Sequence, residues 1–68
     1  MSVQVTVNGQ PRQLPTGATV DHAVAAVTDL SAGVAAAVNG EVLPRRSWPG
    51  TPLRDGDQVE VVTAVQGG

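Results

Sequence analysis

Apolar residues recur at every second position near both ends of the chain. Val3, Val5 and Val7 alternate with Gln4 and Thr6, the spacing of a strand with one buried face. Asn8-Gly9 follows at once, and Asn-Gly beside an alternating segment is the strongest short-range hairpin signal. The chain is therefore expected to turn back into a second strand over Gln10 to Leu14. Pro11 has no N–H for a ladder, which places that strand at a sheet edge. From Thr19 the period becomes helical: Val20, Ala23, Val24, Val27 and Leu30 fall on one stripe. Thr19 stands where an N-cap is needed, and Asp21 sits in the first turn, where a carboxylate complements the helix dipole. Gly33 marks the exit.

A second Asn-Gly hairpin follows, from Val34–Val38 through Asn39-Gly40 to Glu41–Leu43, and Pro44 ends it. Arg45 to Pro52 is rich in chain breakers and reads as a loop around Trp48. Asp55-Gly56 is a tight turn into a last strand, Gln58 to Val65. There Val59, Val61, Thr63 and Val65 face one way, and Glu60, Val62, Ala64 and Gln66 the other. Two strands, a helix, two strands and a last strand make an α+β fold, the ubiquitin-like β-grasp: a mixed sheet of about five strands packed on one helix. Right-handed crossover makes the first and last strands parallel neighbours at the sheet centre. No linker interrupts the pattern, so residues 1–68 read as a single domain with a flexible Gly-Gly tail over residues 66–68.

Composition narrows the chemistry. A chain of 68 residues buries only about 60% of its unfolded surface, leaving little room for a deep substrate cavity beside a core. There is no Cys, hence no disulfide, no thiolate metal site and no cysteine nucleophile. There is no Lys, which excludes self-linked chains through lysine amines. A net charge of −2 and a pI near 4.9 argue against nucleic acid as the main partner. One Trp with no Phe or Tyr leaves little to stack bases on. The start, Met1-Ser2-Val3-Gln4, has no basic or apolar leader, and an apolar run such as Val34 to Val38, which none exceeds, is far short of a membrane span. The expectation is a soluble cytoplasmic protein.

Side-chain candidates for catalysis are few. His22 is the only histidine; its neighbour Asp21 cannot face it across a helix surface, so it reads as a solvent-facing residue. Asp55 and Asp57 flank Gly56 as a tight turn requires, with no further oxygen ligand nearby in sequence. Arg45, Arg46 and Trp48 read either as a basic, aromatic patch for an acidic partner or as a solvated loop with Trp48 over the core edge. No Ser-His-Asp set and no phosphate loop is present. The chain end is the better candidate. Gly67 and Gly68 lack side chains and can thread a tunnel closed to other residues. An α-carboxylate there, ionised near neutral pH, is an oxygen nucleophile able to attack the α-phosphate of ATP.

The segments Val38-Asn39-Gly40-Glu41-Val42-Leu43-Pro44-Arg45 and Leu53 to Gly68, together with Val7-Asn8-Gly9, resemble the ThiS family, the sulfur carrier proteins of thiamine biosynthesis. The likeness covers the whole chain and is most specific in its last sixteen residues. It departs in the helix, where Ala23, Val24, Ala25, Ala26 and Val27 replace the expected leucines. The resemblance implies a carrier and not an enzyme, with no bound cofactor. An E1-like adenylyltransferase (ThiF) would use MgATP to adenylate Gly68. Sulfur from a cysteine desulfurase would give a thiocarboxylate, and thiazole synthase (ThiG) would take the sulfur. Gly67, Gln66 and Val65 would form the stem behind the modified residue. Alternation in the strands places Val62 and Ala64, with Ala35 and Ala37, on an exposed apolar face for docking these partners. A small subunit of molybdopterin synthase (MoaD-like) and a noncovalent β-grasp binding module are the rival readings.

Overall fold

The computed structural model describes residues 1–29 and 33–63. Five strands, β1 (Ser2–Val7), β2 (Gln10–Pro15), β3 (Val34–Val38), β4 (Glu41–Leu43) and β5 (Gln58–Thr63), form one sheet in the order β2-β1-β5-β3-β4. β1 and β5 run parallel, and the other neighbouring pairs are antiparallel. This is the expected β-grasp order, with β5 in the middle. Both hairpins turn as Asn-Gly predicts, with φ of +53° and +81° at Asn8 and Gly9 and of +52° and +86° at Asn39 and Gly40. These left-handed values give the turn a twist that matches its strands. β2 lies at an edge, where Pro11 and Pro15 occupy the alternate positions whose N–H would point away from β1.

The helix α1 spans Val20–Ala25, shorter than the periodic stripe suggested. Its end tightens: the Ala26 N–H bonds the carbonyls of both His22 and Ala23, and the Val27 N–H bonds Val24, an i→i−3 step. Val27 and Thr28 are β-branched and Asp29 competes for backbone groups, so nothing carries the helix on. Val27 still packs against the core, while Leu30 lies outside the described residues. Arg45–Gly50, expected as a loop, is a 3₁₀ helix. Extended Pro44 starts it, the Ser47 N–H bonds the Pro44 carbonyl at 2.8 Å, and the Thr51 hydroxyl bonds the Ser47 carbonyl at 2.7 Å.

That short helix solves a packing problem. α1 offers only Val20, Ala23 and Val24 as buried residues, too little volume to cover a sheet by itself. Trp48 and Leu53, each 4% exposed, join them with Val5, Val7, Ala36, Val59 and Val61 in one cluster. The indole Nε1 of Trp48 donates to the Leu43 carbonyl at 3.1 Å, satisfying the one polar atom that burial would otherwise strand. Trp48 therefore lies in the core and fastens the 3₁₀ helix to β4.

Candidate functional site

With one face of the sheet under α1 and the 3₁₀ helix, the other is open, and strand register decides what stands on it. Ala35 pairs with Val62, and Ala37 pairs with both Glu60 and Val42. Those residues alternate with buried Ala36, Val59 and Val61, so all of them project to the helix-free side. Val62 is 62% exposed and Val42 72%; Ala35 is exposed and Ala37 half-buried. Val62, Ala35 and Ala37 thus stand where the sequence placed them, while Ala64 lies outside the described residues. Val42 is an addition. Its signal was available, since a two-residue Asn39-Gly40 turn forces Val42 opposite Ala37, but a strand of three residues shows little periodicity of its own.

β5 rises between the two hairpins, and the first residue of each turn grips it. On the β3 side the Asn39 N–H bonds the Gln58 carbonyl at 2.7 Å, and the Asn39 Oδ1 accepts from the Gln58 N–H at 3.0 Å. On the β1 side the Asn8 N–H bonds the Val59 carbonyl at 2.9 Å. The Asn8 carboxamide goes further, accepting from the Val61 N–H at 2.8 Å and donating to the Val61 carbonyl at 3.1 Å. Both asparagines read from sequence as turn residues only.

The remaining polar candidates serve the scaffold. His22 is exposed, and its Nδ1 accepts from the Thr19 N–H at 3.0 Å, closing the helix start. The Thr19 hydroxyl bonds the Asp21 carboxylate. That bond is the main cause holding the Asp21 carboxyl below its ordinary value of 3.8; slight burial opposes it and the charge of His22 assists. Asp55 Oδ1 accepts from the Gln4 N–H at 2.7 Å, and Asp57 accepts from the Arg54 N–H at 2.8 Å and from Asn39 Nδ2 at 3.0 Å. Both carboxylates thus hold the turn around Gly56, whose φ is +89°. Arg45 lies over the Trp48 ring, 5.6 Å from its centroid. Among the described residues no group of acidic, histidine or cysteine side chains has the arrangement of a metal site, and no helix is long and apolar enough to cross a membrane.

Val65, Gln66, Gly67 and Gly68 lie outside the described residues, and β5 is described to Thr63. Comparison with known proteins extends along that end. Residues 5–68 match the model of the ThiS family. The sulfur carrier protein ThiS of Thermus thermophilus is 42% identical over 64 residues, covering 94% of this chain and 98% of that protein. Its counterpart from Escherichia coli is 32% identical over 66 residues, covering 97% of this chain and all of that one. The crystal structure of the thiamine biosynthesis protein ThiS from Geobacter metallireducens superposes with a TM-score of 0.75 at 33% identity, covering 97% of this chain and 100% of that chain.

Proposed function

The chain belongs to the ThiS family, the sulfur carrier proteins of thiamine biosynthesis, and on that premise we propose that Gly68 is the atom-carrying residue. It is a carrier and not an enzyme, so the chemistry is divided between its end and its partners. An E1-like adenylyltransferase binds MgATP. A Gly68 carboxylate oxygen attacks the α-phosphorus, pyrophosphate leaves, and an acyl adenylate remains. A sulfur nucleophile supplied through a cysteine desulfurase displaces AMP, leaving a thiocarboxylate. Thiazole synthase accepts that sulfur. Dependence on MgATP and on these enzymes supports a cytoplasmic location.

The observation that carries this reading is the family match running through to Gly68. Glycine at the last two positions fits passage through a narrow channel. Extended, Gln66 to Gly68 reach about 10 Å, enough to enter a buried active site while the globule stays outside. The apolar half of the open face, Val62, Ala35, Ala37 and Val42, supplies the docking surface. It adjoins the strand that leads to the reactive end, and its burial by a partner removes exposed apolar area from water. Deleting Gly68 is the test. The deletion should leave circular dichroism and the melting midpoint nearly unchanged and abolish ATP-dependent pyrophosphate release by the adenylyltransferase. Release at the normal rate would show that another group reacts.

A further inference from the structure

β1 stops at Val7, yet its line is carried further along β5 by a side chain. At Asn8, with φ of +53°, the main chain turns back toward β2. Its carboxamide instead meets Val61, accepting from the N–H at 2.8 Å and donating to the carbonyl at 3.1 Å. A carboxamide has the same carbonyl acceptor and N–H donor as a peptide unit, so Asn8 stands in for the rung that β1 lacks. The substitution occurs at a decisive place. β1 pairs with β5 only through Thr6 with Gln58 and Val7 with Val59. By alternation Thr63 turns its main chain to the same side as Val61, beyond the end of β1. On that side, among the described residues, the Asn8 carboxamide is the last grip on the strand before the chain end.

We infer that Asn8 is a positioning residue for activation of the chain end, holding β5 at Val61 on the side that β1 no longer covers. The inference rests on Gly68 being the activated group. Asn39 provides an internal control. It has the same turn geometry, with φ of +52°, and also grips β5, but at Gln58, the opposite end of the strand. Loss of either grip weakens β5. Only loss of the Asn8 grip frees the β1 side of the strand beside Thr63, which then keeps its pairing with Val34 of β3 alone.

The test compares Asn8→Gly with Asn39→Gly, since glycine keeps the left-handed turn accessible and removes each carboxamide. Each variant is presented to the adenylyltransferase with MgATP, and pyrophosphate release is followed over a range of carrier concentrations. At saturating carrier, docking is complete and what remains is the placement of the nucleophile, where small displacements are costly. Asn8→Gly should therefore lower kcat about ten-fold with KM within about two-fold, and Asn39→Gly should keep the wild-type kcat. Amide exchange of the free carriers should accelerate at Val61 in the first variant and at Gln58 in the second. If Asn8→Gly does not fold, Asn8→Asp, which retains an acceptor for the Val61 N–H, is read for the same split. Equal kcat for the Asn8 and Asn39 variants, or a loss confined to KM, would overturn the inference. A wild-type carrier that supports no pyrophosphate release would instead refute the assignment of Gly68.

Discussion

The two hairpins use one turn and serve two purposes. Asn8-Gly9 and Asn39-Gly40 share their φ angles to within a few degrees, and each asparagine grips β5. Their open faces differ. β1 and β2 present Ser2, Gln4, Thr6 and Gln13 with the edge prolines Pro11 and Pro15, and Gln13 Nε2 donates to the Ser2 hydroxyl at 2.6 Å. β3 and β4 present Ala35, Ala37 and Val42, continued by Val62 of β5. Polar side chains on an open sheet face keep their water, whereas contiguous apolar ones gain by being covered. Turn chemistry therefore makes the scaffold, and the face composition marks the half proposed as the interface. The difference is regional: the docking surface proposed above lies on the β3–β4–β5 side.

The largest expected effect separates the hairpins by stability. Trp48 is buried against the core and bonded to Leu43 of β4, while β2 has no such tie among the described residues. Trp48→Ala should cost about 3–5 kcal/mol in chemical denaturation. Amide exchange at Leu43 should accelerate more than at Leu14. Equal acceleration would mean that Trp48 supports the whole sheet and not the second hairpin in particular.

A smaller effect separates them by binding. Val62→Asp places a charge in the apolar half and should weaken affinity for the adenylyltransferase and for the sulfur acceptor by about 1–3 kcal/mol, roughly five- to 150-fold in Kd. Gln13→Asp adds the same charge to the polar half and should leave both affinities unchanged. Calorimetric titration of the two variants decides the matter, with thermal unfolding of each as a check. Since Val62 is exposed, its variant should melt close to the wild type.

The smallest effect lies at the helix start, which adjoins the first hairpin through Pro15 to Ala18 and His22. The Asp21 carboxyl is held below 3.8, chiefly by the Thr19 hydroxyl. A folded value below the unfolded one gives stability that is fully present above the unfolded value and is lost as pH falls through the folded value. Asp21→Asn should therefore be slightly less stable than the wild type at neutral pH, with the gap closing below about 3.8. Partner affinity should not change. A gap that persists in acid would assign the effect to something other than ionisation.

Much of this organisation was legible in the sequence because it is local. Period-two alternation separates Val59 and Val61 from Glu60 and Val62, and Asn39-Gly40 sets the register that brings Val42 beside Ala37. The missed features are made by distant partners. Arg45–Gly50 becomes a 3₁₀ helix under a tryptophan whose position is fixed by packing against α1 and by the Leu43 carbonyl. Asn8 reaches Val61 across 53 residues of chain, and nothing in Val7-Asn8-Gly9 distinguishes a turn asparagine that grips another strand from one that does not. The helix end was overrun for the opposite reason. Val27 keeps the apolar period and the core contact after the regular helix has ended at Ala25, so the apolar period outlasts the helix proper.

The claim at the centre of this account is that the chain carries sulfur on Gly68, and the mass of the intact protein tests it most directly. Incubation with the adenylyltransferase, MgATP and a sulfur source should raise the mass by one exchange of oxygen for sulfur, located on the C-terminal peptide. An unchanged mass, with an adenylyltransferase shown to be active on a related carrier, would contradict it.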